Sequence, residues 1–296
     1  MQDEKLLKLF NQITIWKAGH KRAPHKPLLL LLMLARVKRG ETRLIPYIEV
    51  EQILPELIDA FGPPRKSKAK AQDPFWRLIK DGIWDIPIAD KIREDKSGTP
   101  FLSDLKSFKA SGGFKSEIYN QLIQDTKLLD RVAQDILNIH FPETYHPDIL
   151  NAIAMPEHTV SNKPKRKSSF RREILRVYNY RCAICGYDGR LGHSLVGIEA
   201  AHFKWHAAGG PDTIENGTAL CTFHHKIFDR GAITLTDDHI IDASQEVNGT
   251  TQVNNLILQY VGKQMHFPQF GQHKPAKQYL AWHRKNVFKT PGRLFG

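Results

Sequence analysis

Cysteine is scarce: the 296-residue chain has three, and all of them fall between positions 182 and 221. With no sulfur elsewhere a disulfide framework is not expected, and a thiolate-held metal is the better account of three clustered cysteines. Long apolar runs are also missing. The longest, Leu28 to Ala35, falls far short of the roughly 20 residues that span a bilayer, so a membrane partner is not expected. The N-terminal MQDEKLLKLFNQ does not read as a secretion signal, with no basic start, apolar core and small-residue cleavage site, so a cytoplasmic location is expected. No internal repeat is present. Acidic residues are few against basic ones, 31 against 43, for a net charge of +12 and a pI near 9.5. An excess of that size points to a polyanionic partner, because clustered Lys and Arg gain affinity by releasing counterions from nucleic acid. A hydrophobic content of 41% excludes a disordered or fibrous chain and is ample for two ordinary cores.

The first half reads as mainly helical. Leu6, Leu7, Phe10, Ile13 and Ile15 mark a short amphipathic helix, and Leu28 to Val37 a helix apolar nearly all round, with Pro27 in its first turn. Between them a loop gathers His20, Lys21, Arg22, His25 and Lys26 at a helix N-terminus, where free N–H groups and the dipole attract phosphate. A second basic run, Arg65, Lys66, Lys68 and Lys70, precedes Pro74-Phe75-Trp76 and suits contact with a nucleic-acid backbone. Trp76 and Trp84 are assigned to the core. Residues 96–100 (KSGTP) and 111–114 (SGGF) read as exposed turns, and Glu117 to Ile139 as one periodic helical region. Residues 155–168 are polar, basic and aperiodic, a linker between a domain at 1–154 and another at 169–296.

The second domain carries the chemistry. Cys182-x₂-Cys185 and Cys221-x₂-His224 have the spacing of two halves of a tetrahedral zinc site, whose role is structural. Residues 195–202 read as a strand ending at His202, Asn216-Gly217 precedes a second strand, and a helix opens near His224. His202, at a strand end, is suited to take a proton from a nucleophilic water. His225 and Asp229, four apart on one helix face, are suited to share a divalent cation, Mg²⁺ or Mn²⁺.

The run CxxC, EAAHF, ENG and LCxxHHKIFD resembles the HNH group of ββα-metal endonucleases over roughly the last 130 residues. That resemblance implies an α+β architecture, a mainly helical DNA-reading domain followed by a zinc-stabilised ββα-metal nuclease, and a role for Asn216 in fixing the loop that carries His202. One departure stands out. Many members carry a metal ligand immediately before the base histidine, where this chain has Ala201; Glu199, on the same strand face, is one substitute, and water, substrate phosphate or His206 are others.

The segments RAPHKPLLLLLMLAR, FGPPRKS, DPFWRLIKDGIW and SGGF resemble the sulfur-binding domain of phosphorothioate-dependent restriction endonucleases. The resemblance implies double-stranded DNA in which sulfur replaces a non-bridging phosphate oxygen, with Pro74 as an apolar wall of the sulfur pocket and His25 and Lys26 as its phosphate-facing pair. Asp73 stands where an aromatic residue is expected, unfavourable beside a phosphorothioate unless it turns away or pairs with a cation. Two other readings stay open: an HNH nuclease directed at another modification or at ordinary DNA, and a DNA-binding protein whose HNH fold has lost activity. Cutting both strands with one site per chain would call for a homodimer.

Overall fold

An unbroken apolar run has no face to offer water, so the helix carrying residues 28–34 must be wrapped on every side. The computed structural model, which describes residues 3–15, 17–18, 21–65, 67–156, 168–269 and 273–294, shows how this is done. Its contacts divide the chain into two units, Met1–Asn162 and Lys163–Gly296. Most of the expected linker, residues 157–167, lies outside the described residues. No helix among the described residues is long and apolar enough to cross a membrane.

In the first unit α1 (Asp3–Asn11) and a two-stranded hairpin, β1 (Lys17–Ala18) with β2 (Lys21–Arg22), lead into α2 (His25–Lys38). Then follow β3 (Leu44–Pro46), α3 (Tyr47–Phe61), α4 (Gln72–Arg77), β4 (Trp84–Asp85), α5 (Leu102–Ser107), β5 (Ser111–Phe114), α6 (Ser116–Gln124), α7 (Thr126–His140) and α8 (His146–Ala152). Helices α3, α4, α6 and α7 all pack on α2, and every residue from Leu28 to Leu34 is buried. An ion pair adds to the apolar contact: Lys38 Nζ lies 2.6 Å from Asp130 Oδ1, joining α2 to α7.

Two expectations are corrected here. SGGF is not an exposed turn but β5, the central strand of an antiparallel sheet ordered β3-β5-β4. Its glycines answer to crowding: a Cβ on Gly112 would lie 2.7 Å from Trp84 Nε1 and 2.8 Å from Phe75 Cζ, and one on Gly113 only 2.0 Å from the Arg43 carbonyl oxygen. A turn-like composition is thus used to run a strand beneath an aromatic cluster in which Phe10, Phe114, Trp84, Phe75 and Tyr47 meet edge to face. The single helical region over 117–139 is two helices, broken at Asp125, whose carboxylate accepts from Leu128 N at 2.9 Å and caps α7. Trp76 and Trp84 are buried, as expected, and KSGTP is a turn organised by Asp95, which accepts from Ser97 N and Thr99 N.

The second unit runs α9 (Ser168–Val177), a hairpin of β6 (Arg190–Leu191) and β7 (Ser194–Leu195), β8 (Ile198–His202), β9 (Gly217–Cys221), α10 (Thr222–Asp229), a hairpin of β10 (Ile233–Leu235) and β11 (Ile241–Ala243), α11 (Thr251–Leu256) and α12 (Lys277–Asn286). Strand β8 starts at Ile198 rather than Leu195, because Gly197 takes a left-handed φ of +70° and breaks the extension. Strands β8 and β9 are antiparallel, with His202 opposite Gly217, and α10 follows β9 without a loop. This β–β–α unit is the platform for the site, and α9 packs on both of its strands.

Candidate functional site

The cysteines lie where the local fold brings them together. Cys182 and Cys185 sit on a turn after α9 that is pinned to β9 by Ala183 N donating to Ala219 O at 2.7 Å. Cys221 ends β9 and His224 lies in the first turn of α10, so the two halves face each other with one donor atom from each of the four residues within 4.8 Å of the others. All three cysteines are free. His224 presents Nδ1 to the sulfurs, 3.1 Å from Cys221 Sγ and 3.6 Å from Cys182 Sγ, while its Nε2 lies 2.9 Å from the Leu256 carbonyl. A carbonyl holds the ring proton on Nε2 and leaves Nδ1 as the ligating atom. Three sulfurs this close cannot all be anionic without a cation: hydrogen bonds from Cys185 and Cys221 pull the Cys182 thiol down, while contacts with Cys182 and Cys185 push Cys221 up. The set fits a tetrahedral Cys₃His metal site.

His202 closes β8 and is only 6% exposed. Its ring lies flat on Phe170 of α9, centroids 4.1 Å apart, and its Nε2 is 2.9 Å from Asp212 Oδ1. The tight seat explains the glycine opposite it, since a Cβ on Gly217 would come within 2.3 Å of Ile174 and 2.9 Å of Phe170. Asn216 is fully buried and ties the loop after His202: its Oδ1 accepts from Lys204 N at 2.9 Å, and its Nδ2 donates to Lys204 O at 3.0 Å and Pro211 O at 2.9 Å. Those bonds fold the loop back so that Asp212 reaches the histidine. On α10, His225 Nε2 and Asp229 Oδ2 are 3.4 Å apart and buried, a separation compatible with two donors of one hard cation held at about 2.1 Å from each. Behind them, Glu199 Oε2 is 2.7 Å from His225 Nδ1, and Trp205 Nε1 donates to Asp229 Oδ1 at 3.0 Å.

In the first unit a cavity of about 550 Å³ opens at the N-terminus of α2. It gathers His25, Lys26, Arg65 and Pro74, all singled out from sequence, together with Ile15, Ala23 and Arg77. Pro74 is buried within α4. Lys26 is held by Asp81, Nζ to Oδ2 at 2.5 Å, and by the Thr14 carbonyl at 2.9 Å. Asp73 pairs with Arg77 at 3.3 Å and accepts from Thr99 Oγ1 at 3.2 Å, so its charge is answered by a cation of its own helix. Arg65 bonds Asp59, while its buried Nη1 and the buried His25 Nδ1 have no hydrogen-bond partner among the described residues. Burial, and then the Arg65 charge, lower the His25 pKa and keep its ring neutral. The Arg22 side chain and all of Lys66 lie outside the described residues.

Sequence reasoning missed Asp212, Trp205 and Phe170. The bonds of Asp212 and Trp205 depend on how the loop between β8 and β9 folds, which no short spacing encodes. The Phe170 contact depends on the packing of α9. The Asp73–Arg77 pair did carry a signal, an acid and a base four apart on a helix.

The family model described as ScoMcrA-like, DNA sulfur-binding domain, matches residues 3–158, and the HNH endonuclease model matches residues 182–236. No curated protein matches the chain. Similar solved structures include the sulfur-binding domain of ScoMcrA complexed with phosphorothioated DNA (19% identity, TM-score 0.47, covering 50% of this chain and 94% of that one). Another is the sulfur-binding domain of SprMcrA complexed with phosphorothioated DNA (16%, 0.44, 52% and 95%). A third is the modification-dependent TagI restriction endonuclease (21%, 0.31, 42% and 39%). Since the first model takes in more than half of the 296 residues, and the second falls on the β–β–α platform that holds the Cys/His cluster, the chain belongs to the ScoMcrA-like DNA sulfur-binding domain family and carries an HNH endonuclease domain behind that module.

Proposed function

We propose that the protein is a type IV-like restriction endonuclease that recognises phosphorothioated DNA through its first unit and hydrolyses nearby phosphodiester bonds with its second. The observation that carries this reading is the joining, in one chain, of a sulfur-binding domain match at 3–158 to an HNH match at 182–236. The cavity at α2 suits the ligand. Sulfur is larger and more polarizable than oxygen and a poorer hydrogen-bond acceptor, so the buried ring of Pro74 favours it while the Arg65 guanidinium meets the remaining charge. Such a pocket discriminates by roughly 1–3 kcal/mol.

In the second unit His202 takes the proton of the attacking water, and Asp212 steadies the imidazolium that forms. Asn216 keeps the loop, and so Asp212, in place. His225 and Asp229 would hold a divalent cation, which when bound supplies positive charge against the phosphoryl oxygens. Cys182, Cys185, Cys221 and His224 would hold a structural zinc that fastens the turn after α9 to the start of α10.

The test is cleavage of matched plasmids with and without phosphorothioate, in Mg²⁺ or Mn²⁺. Cutting of the modified plasmid alone is expected. Equal cutting of both would remove the sulfur reading. Binding without cutting would support the inactive-nuclease reading, whose sequence support is Ala201 at a position where many members carry a metal ligand.

A further inference from the structure

We infer that Glu199 is a positioning residue, a carboxylate that fixes the tautomer and orientation of His225 rather than a ligand standing in for Ala201. The inference rests on the reading of His225 and Asp229 as cation ligands. Glu199 and Ala201 share one face of β8, two residues apart, so sequence alone permits either role. Geometry separates them. Glu199 Oε2 is 2.7 Å from His225 Nδ1, whereas Asp229 Oδ2 is 3.4 Å from His225 Nε2, across the ring. The two nitrogens of an imidazole point away from each other, so a cation lying between Nε2 and Asp229 is out of reach of a carboxylate bonded to Nδ1. Accordingly the three do not form a cage: among the described residues, Cys182, Cys185, Cys221 and His224 are the only set with three or more donor atoms within 4.8 Å.

A carboxylate at Nδ1 keeps the proton on that nitrogen and leaves Nε2 as the electron-pair donor. Asp229 is treated alike. Its Oδ1 accepts from Trp205 Nε1 at 3.0 Å, which turns Oδ2 towards His225. Each donor on α10 is therefore contacted by a side chain from outside the helix that aims it, His225 by Glu199 from β8 and Asp229 by Trp205 from the following loop. The Glu199 side chain is 41% exposed, so its replacement should leave the fold intact.

The experiment uses the full-length, zinc-loaded protein and its Glu199→Ala, Glu199→Gln and Asp229→Ala variants. Mn²⁺ binding is followed by calorimetry, and the His225 tautomer by long-range ¹H–¹⁵N correlation. Glu199→Ala is expected to weaken Mn²⁺ binding by about 10- to 100-fold and to release the ring proton from Nδ1. Glu199→Gln, whose amide oxygen still accepts from Nδ1, is expected to lose less than about tenfold. Loss in Glu199→Gln as complete as in Asp229→Ala would make Glu199 a direct ligand and overturn the inference. So would unchanged affinity and tautomer in Glu199→Ala. If the parent protein binds no Mn²⁺, the cation reading of His225 and Asp229 fails instead, and the tautomer still decides whether Glu199 holds the ring.

Discussion

Two buried imidazoles of the second unit show how one residue type serves opposite ends. His202 lies at a strand end, stacked on Phe170 and bonded to Asp212, where a proton gained can be stabilised by a carboxylate. His202→Ala is expected to lower the cleavage rate by about 10²–10⁴-fold with DNA binding unchanged, measured by cleavage time courses beside equilibrium binding. Parallel loss of binding would mean that the residue contacts DNA instead. His283 is wholly buried, stacked on Phe228, with Nδ1 2.9 Å from Thr234 Oγ1 and Nε2 3.1 Å from the Phe228 carbonyl. Desolvation outweighs the Phe228 carbonyl, which favours the charged ring, and pushes the pKa from 6.5 down to about 3. The unfolded chain therefore binds this proton at a pH where the folded chain does not. Its contribution to stability is intact above pH 6.5 and is lost as pH falls towards 3, by about 1.4 kcal/mol per pH unit. Urea unfolding at pH 7.5 and 5.5 should show a slope that His283→Gln removes; an unchanged slope in the variant would assign it to other groups.

Among the elements, α2 and α7 are joined by more than apolar contact. The Lys38–Asp130 pair, with side chains 11% and 2% exposed, spans the helix ends at 2.6 Å. Lys38→Ala takes one charged hydrogen-bond partner from the buried Asp130 carboxylate, so it is expected to cost about 1.5–3 kcal/mol in urea unfolding of the first unit, whereas Lys38→Met with Asp130→Leu recovers most of the loss. A cost under about 1 kcal/mol for the single change would show that water already screens the pair. The helices themselves were legible because their signals are local: an apolar run for α2, and Cys and His at fixed spacing for the turn after α9 and the start of α10. The strand β5 was not. Its glycines are required by Trp84, Phe75 and Arg43, each far away in sequence, and nothing within SGGF distinguishes close approach from a turn. The same division runs through the site: His202, His225 and Asp229 stand in short motifs, whereas Asp212 reaches His202 only because the Asn216 bonds bend the intervening loop.

At the scale of the whole molecule, the proposed function makes the net charge of +12 and the cavity at α2, as the seat of one substituted phosphate, separable contributions to DNA binding. Counterion release depends on how many phosphates are neutralised. For six to ten contacts, affinity falls by about 10³–10⁵ between 50 and 200 mM salt. A phosphorothioate carries the same single negative charge as the phosphate it replaces, so modified and unmodified DNA of equal length should lose affinity along parallel lines of log K against log salt. The gap between the lines then measures the pocket alone, and a discrimination of roughly 1–3 kcal/mol corresponds to about a 5- to 150-fold preference, constant with salt. Pro74→Ala should narrow the gap without altering either slope, because it removes apolar surface and no charge. Arg65→Ala should flatten both lines by about one unit of slope if, as proposed, its guanidinium meets one phosphate. Lines that converge as salt rises would mean that sulfur is recognised through charge, and the apolar wall at Pro74 would lose its role.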